Sequence, residues 1–186
     1  MNKTVYLGLG SNVGNRSANL TRAIAGLAAA GVQLVRRSSL YATEPVDSGP
    51  QNWFLNCVVE ASTDLTPRQL LRSAQQVERR LGRRRAARNA PRIADIDILL
   101  YGSNVVRLAG LEIPHPRIAE RRFVLVPLRE IAPAVRHPAL KRTIAELLAQ
   151  TSDRCAVRPW RASSGGTERA AGGAVAAGQN ALKESR

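Results

Sequence analysis

A chain of 186 residues, 44% of them hydrophobic, is long enough for one domain with a proper core and too short for two of ordinary size. No apolar run reaches the length of a membrane helix, and the lone Lys3 ahead of the short VYLGLG run does not make a secretory signal, so a cytoplasmic protein is expected. The formal charge of +14 attracts phosphates whatever carries them, but all but three of the 28 basic residues are arginine, a skew that genomic base composition also produces, so their placement says more than their total.

TVYLGLG at 4–10 reads as a strand entering a turn, with Gly8 to Asn12 as that turn. Leu20, Ile24 and Leu27 recur at helical spacing, which predicts a helix to about residue 30 with Gly31 as its stop. VQLVRRSSLYAT at 32–43 is expected to form one strand and WFLNCVVEAST at 53–63 the next, with the EPVDSGPQN loop between them. Thr66, Pro67 and Gln69 fit a capping box with proline at the first helical position, and Leu70, Ala74, Val77 and Leu81 mark the core stripe of the second helix up to Gly82. After the arginine-rich LGRRRAARNAPR comes a strand at 94–101, which completes a β-α-β-β-α-β order. That order predicts an α+β, ferredoxin-like sheet with helices packed on it. Further strands are expected at Val105–Val106 and within LEIPHP at 111–116, and further helices at 123–131 and 143–150. Past Trp160 the composition turns to alanine, glycine and serine with little to bury, so residues 1–160 are read as the domain and 161–186 as a disordered tail. Cys57 and Cys155 suit reduced, packed thiols better than a disulfide framework or a zinc site.

The chemistry concentrates in PRIADIDILLYG at 91–102. Strand side chains alternate, so Ala94, Ile96, Ile98 and Leu100 are expected on one face and Asp95, Asp97, Leu99 and Tyr101 on the other. Two such carboxylates, with Cα atoms roughly 6.6 to 7 Å apart, can share two magnesium ions about 3.5 to 4 Å apart and leave the other coordination sites to water and phosphate. Carboxylates on a solvated sheet face also pair with arginines, and the triplet alone does not separate the two readings. Arg92, three residues before Asp95 and behind a proline, adds a cation where a metal-bridged polyphosphate needs one.

RNAPRIADIDILL, from Arg88 to Leu100, resembles the signature of the 6-hydroxymethyl-7,8-dihydropterin pyrophosphokinases of folate biosynthesis: basic residue, any, Gly or Ala, Pro, Arg, two residues, Asp, aliphatic, Asp, two aliphatics. The likeness runs from residue 4 to about 160 through LGLGSN, LYATEP, FLN, IPHP and RRFVLVPLREIAP. It implies transfer of diphosphate from ATP to the hydroxymethyl group of the dihydropterin, leaving AMP, with two Mg2+ held by Asp95 and Asp97. It further implies Arg85 and Arg92 as catalytic contacts to phosphate, with Arg83 a lesser candidate in the same loop. Gln75, Glu78, Ile98, His115 and Arg121 would join them in binding ATP. By the same carry-over the pterin would stack between Phe54 and Phe123, with Thr43, the backbone near Val46, Asn56 and Asp95 along its edge. Without the resemblance, Phe54 and Phe123 read as core, Asn56 as a solvent-facing strand residue, and Gln75 and Glu78 as a solvated helix face. His137, beside a proline, has only a structural reading. Partners would be ATP and a dihydropterin acting on a monomer, with neither nucleic acid nor membrane.

Two departures from the enterobacterial form stand out. The arginine loop is one residue shorter, with Asn89 in place of a tryptophan, and Gly110, Glu112 and Pro116 replace residues that help to hold ATP there. The competing reading is an RNA-binding module, which the charge and the strand order would suit. The aromatic K/R-G-F/Y strand motifs of such modules are missing, and aromatics make up only 4% of the chain. A GxxxxGK[ST] phosphate loop is also missing.

Overall fold

The computed structural model describes residues 2–45, 52–82 and 92–161. In chain order these form β1 (Lys3–Ser11), α1 (Arg16–Ala29), β2 (Gln33–Arg37), β3 (Tyr41–Thr43), β4 (Phe54–Thr63), α2 (Pro67–Arg80), β5 (Asp95–Tyr101), β6 (Val106–Leu108), β7 (Leu111–Ile113), α3 (Arg122–Ile131), α4 (Ile144–Gln150) and β8 (Val157–Pro159). Of the expected tail at 161–186, residues 162–186 lie outside the described residues. The main sheet is antiparallel, in the order β5-β1-β4-β3-β8, with β2 also paired to β4; β6 and β7 form a separate hairpin.

Local chemistry sets the helix limits. The Asn15 side chain accepts the Ala18 N–H at the start of α1. Both capping-box bonds between Thr66 and Gln69 are made at α2, with Pro67 at its first position, and Thr143 and Glu146 repeat the device at α4. Gly31 and Gly82, at φ of 86° and 100°, turn the chain out of α1 and α2 in a conformation that side chains resist.

The sheet carries a core on each face. On one, Val5, Leu7, Leu9, Leu55, Cys57, Val59, Ile96 and Ile98 pack against Leu20, Ala23 and Leu27 of α1 and Leu70, Ala74 and Val77 of α2. On the other, Tyr6, Val58, Leu99 and Leu100 meet Val124, Leu125 and Leu128 of α3 and Ile144 and Leu147 of α4. This second face holds the candidate site, in the part of the sheet beyond Tyr6 and Val58.

Several expectations need correction. The run 32–43 is two strands, because the buried Ser38 takes over the ladder: its N–H donates to the Val58 carbonyl (2.9 Å) and its hydroxyl accepts the Val58 N–H (3.0 Å). Gly8 to Asn12 is not a turn, since Gly8 and Gly10 lie inside β1, in register with Asp97 and Asp95. Strict alternation along β5 also fails. Leu7 pairs with Ile98 but Tyr6 with Leu100, so Leu99 is an extra residue, a bulge. The phase shifts there: Leu100 joins the aspartate face, whereas Tyr101 turns to the α1/α2 side and donates its hydroxyl to the Leu65 carbonyl (2.8 Å). Strand β8 had no periodic signal in VRP; its pairing with β3 creates it.

Candidate active site

Asp95 and Asp97 project from β5 onto the second face, opposite Gly10 and Gly8 of β1. The backbone between them is anchored from the other side: the Ile96 N–H points off the sheet edge and donates to the Glu78 carboxylate of α2 (2.8 Å). Glu78 is buried among the apolar stripe and is not part of a solvated helix face, while Gln75, one turn earlier, is exposed. The signal for this was available, since Glu78 follows Ala74 by four residues and so falls on the stripe itself.

Arg92 is fixed by reciprocal bonds with Asn12 at the end of β1: the Arg92 N–H donates to Asn12 Oδ1 (2.7 Å), and the Asn12 N–H donates to the Arg92 carbonyl (3.1 Å). Its Nη1 then lies 2.5 Å from Asp95 Oδ2. Asn12 was not singled out in the sequence. From the opposite side, Arg121 at the start of α3 brings Nη1 to 3.9 Å from Asp97 Oδ2 and lays its guanidinium over the Phe123 ring, 5.5 Å from the centroid. His115 donates its backbone N–H to the Leu99 carbonyl (3.0 Å), and its Nδ1 accepts the Arg117 N–H (3.1 Å), which leaves Nε2 as the protonated nitrogen of the neutral ring.

These charges act on one another. Desolvation and then the neighbouring Asp95 carboxylate push the Asp97 carboxyl above its ordinary range, while His115, Arg121 and Arg92 pull it down. Burial holds His115 below the usual histidine value, opposed by Asp97. Two crowded carboxylates are hard oxygen donors whose mutual repulsion a divalent cation relieves, so the pair fits magnesium. Among the described residues no group of three or more His, Cys, Asp or Glu side chains is placed to hold a metal. Protein ligands would therefore be few, with the remaining coordination left to phosphate and water.

Beyond Asp95 the same face carries a second constellation. Thr43 is in register with Phe54, and Asn56 with Gly10, so Thr43, Phe54 and Asn56 stand together over the glycine. The Asn56 Nδ2 donates to Thr43 Oγ1 (2.6 Å), and both residues are buried, contrary to the solvent-facing reading of Asn56. A Cβ at Gly10 would sit 2.4 Å from Asn56 Oδ1, so only glycine admits the amide there. Phe54 and Phe123 are half-buried, neither of them sealed into a core. Val46, Arg83 and Arg85 lie outside the described residues.

A cleft of about 450 Å³ wraps the edge of β5, lined by Leu71 of α2, Asp97, Ile98 and His115 together with Gly110, Glu112 and Pro116. It thus contains Gly110, Glu112 and Pro116, three of the positions at which the sequence departs from the enterobacterial pattern, and Asp97 joins it to the carboxylate pair. Ile98 keeps most of its side chain in the α1/α2 core.

Paired strand carboxylates between two guanidinium groups, with a cleft alongside, suit a transferase that works on polyphosphates by positioning and charge. The model of the 7,8-dihydro-6-hydroxymethylpterin-pyrophosphokinase family matches residues 6–133. The 2-amino-4-hydroxy-6-hydroxymethyldihydropteridine pyrophosphokinase of Bacillus subtilis is 44% identical over 166 residues, 89% of this chain and 95% of that protein. The enzyme of the same name from Methylorubrum extorquens is 48% identical over 129 residues, 69% of this chain and 82% of that one. Among solved structures, wild-type Plasmodium falciparum HPPK-DHPS with SDX-DHP aligns with a TM-score of 0.66 at 16% identity, covering 81% of this chain and 44% of that chain, a likeness of fold alone. The chain belongs to the 7,8-dihydro-6-hydroxymethylpterin-pyrophosphokinase family, whose reaction is pyrophosphoryl transfer in folate biosynthesis.

Proposed function

We propose that this chain transfers the β,γ-diphosphoryl unit of ATP to the hydroxymethyl oxygen of 6-hydroxymethyl-7,8-dihydropterin. The hydroxyl oxygen attacks the β-phosphorus, the bond from that phosphorus to the α,β-bridging oxygen breaks, AMP leaves with the bridging oxygen, and the hydroxyl proton passes to solvent. The observation that carries this reading is the convergence of Asp95, Asp97, Arg92, Arg121 and His115 on one sheet face, between the Thr43–Phe54–Asn56 cluster and the β5-edge cleft.

In this assignment the pterin lies between Phe54 and Phe123, with Asn56 and Thr43 meeting its amide-like edge. The triphosphate crosses Asp95 and Asp97 toward the cleft, where Gln75, Ile98 and His115 flank the nucleotide. Arg92 and Arg121, released from the carboxylates they now pair with, turn to phosphate oxygens and offset the charge that builds on the leaving AMP. Asp95 and Asp97 would hold two Mg2+, which neutralise the polyphosphate so that an oxygen nucleophile can approach it. Glu78 keeps the aspartates in place from beneath by accepting the Ile96 N–H, on the α2 side of the nucleotide positions with which the resemblance groups it. Arg85 and the backbone near Val46 complete the assignment as contacts to phosphate and pterin. We also read the first five strands with α1 and α2 as ferredoxin-like, supported by the order β5-β1-β4-β3 with β2 beside β3 on β4, and the sparse use of cysteine, two in 186 residues, suits a cytoplasmic, reducing setting.

The test is direct. Protein incubated with magnesium, ATP and the hydroxymethyl-dihydropterin should form AMP and the pterin diphosphate in equal amounts; ADP as the nucleotide product, or no turnover, would refute the assignment. Asp95→Ala and Asp97→Ala should each lower the rate by about two to three orders of magnitude with an unchanged circular-dichroism spectrum.

A further inference from the structure

Strand β8, the element without a sequence signal, carries Arg158 to the start of β4. Arg158 is in register with Ala42 of β3, which pairs with Leu55 of β4, so Arg158 stands on the same sheet face as Leu55. Trp53, two residues before Leu55, meets it there: the Arg158 guanidinium lies over the Trp53 ring, 5.2 Å from its centroid. A second arginine holds the same residue by its backbone, for Arg16 Nη1, from the first turn of α1, donates to the Trp53 carbonyl (2.7 Å). Trp53 is thereby gripped at ring and peptide by two cations from different elements. Its neighbour Phe54, on the opposite face by strand alternation, is the ring that lines the Thr43–Asn56 cluster.

The geometry points to Arg158 and Arg16 as positioning residues that fix the Phe54 wall of the pterin site by clamping Trp53 from behind the sheet. The inference deepens the proposed function and rests on Phe54 being a pterin wall. Phe54 opens β4, and the peptide at its N-terminal side is the Trp53 carbonyl group that Arg16 holds. Freedom at Trp53 therefore becomes freedom in the direction of the Phe54 ring. Because the clamp lies on the face opposite Asp95 and Asp97, it acts on the pterin and leaves the phosphates alone. A planar guanidinium stacks on indole better than an ammonium does, so lysine should restore the clamp only in part.

The experiment uses the full-length protein and the variants Arg158→Ala and Arg158→Lys, with 6-hydroxymethyl-7,8-dihydropterin titrated as ligand and as substrate. Arg158→Ala should raise the pterin Kd and KM by about three- to tenfold, with kcat, the KM for ATP and the Tm unchanged, and Arg158→Lys should recover part of the loss. In a Trp160→Phe background, which leaves Trp53 as the chain's single tryptophan, Arg158→Ala should also shift the emission of Trp53. A parent that binds pterin alongside an Arg158→Ala variant of equal pterin affinity would overturn the clamp alone, as would equal losses toward ATP and pterin. A parent that binds no pterin would overturn the functional reading, and the clamp's role with it.

Discussion

Gly10→Ala is the sharpest test of how the sheet builds the proposed pterin pocket. Gly10 lies near the end of β1 without a positive φ, so alanine meets no backbone obstacle; what it meets is Asn56, whose Oδ1 would lie 2.4 Å from the new methyl carbon. Neither group can retreat freely. Asn56 is buried and donates to Thr43 Oγ1 at 2.6 Å, and Phe54 Cδ1 lies 3.8 Å from the same methyl position. Overpacking of this kind costs about 1 to 3 kcal/mol, and the lower entropy of an unfolded chain with alanine returns about 0.4 to 1 kcal/mol. The net loss is at most about 2.6 kcal/mol and centres on about 1.3 kcal/mol, which is about 3 to 5 °C in Tm for a domain of this size. The larger effect should fall on function. If the amide meets the pterin edge as proposed, pushing it from its place should raise the pterin KM about ten- to a hundredfold, while the KM for ATP stays at its parent value. Steady-state kinetics with each substrate varied in turn, together with thermal melts, read both quantities. The double variant Gly10→Ala, Asn56→Ala provides the control, because with the amide gone the methyl has room, and alanine at position 10 should then cost no stability. A Gly10→Ala protein with parental pterin KM and Tm would show that the Asn56 amide does not occupy the space over Gly10, and the pocket as described would fall.

Three other outcomes are expected. Glu78→Ala leaves the Ile96 N–H without its acceptor in a buried position and should cost about 1 to 3 kcal/mol in urea unfolding, whereas Glu78→Gln keeps an acceptor oxygen and should cost less; equal losses would remove the hydrogen bond from the account. His137 is buried, with Nδ1 accepting the Leu140 N–H, and burial lowers its pKa below the usual value. Its contribution to stability is therefore present above the unfolded-state value of about 6.5 and is lost as pH falls through the lower folded value. The urea midpoint of the parent should drop from about pH 7 to about pH 5 more steeply than that of His137→Asn, and parallel slopes would refute this. Burial pushes the Cys57 thiol up to about 12, so a disulfide reagent at mildly alkaline pH should label the half-exposed Cys155 in the native protein and reach Cys57 only on unfolding; rapid native labelling of Cys57 would contradict its packing.

The parts of the molecule legible in the sequence are those specified by local chemistry. Thr66, Pro67 and Gln69 announce α2 because each capping bond joins residues three apart, and the aspartate pair of β5 is visible because alternation over two residues needs no partner strand. What escaped is set by distant pairing. VRP is a strand only beside β3. Ser38 breaks its strand only because Val58 offers both of its backbone groups. Within the site, Asn12 is recognisable as the holder of Arg92 only once residues 80 positions apart are brought together. Two features could have been read and were not. Glycines at every second position of LGLG mark a close approach across a strand and not a turn, and Asn56, set among apolar neighbours on both faces of FLNCVVE, is placed for burial.

The irregularity at Leu99 reaches beyond the packing of two leucines. With the amide of Ile96 directed off the sheet edge to Glu78, simple alternation would return the Leu99 carbonyl to β1; it is instead spent sideways, on the N–H of His115. One inserted residue thus tethers the imidazole turn to the very strand that bears the carboxylates, so the two travel as a unit. Anyone grafting this acidic pair onto a regular scaffold would carry over the acids and leave the histidine adrift.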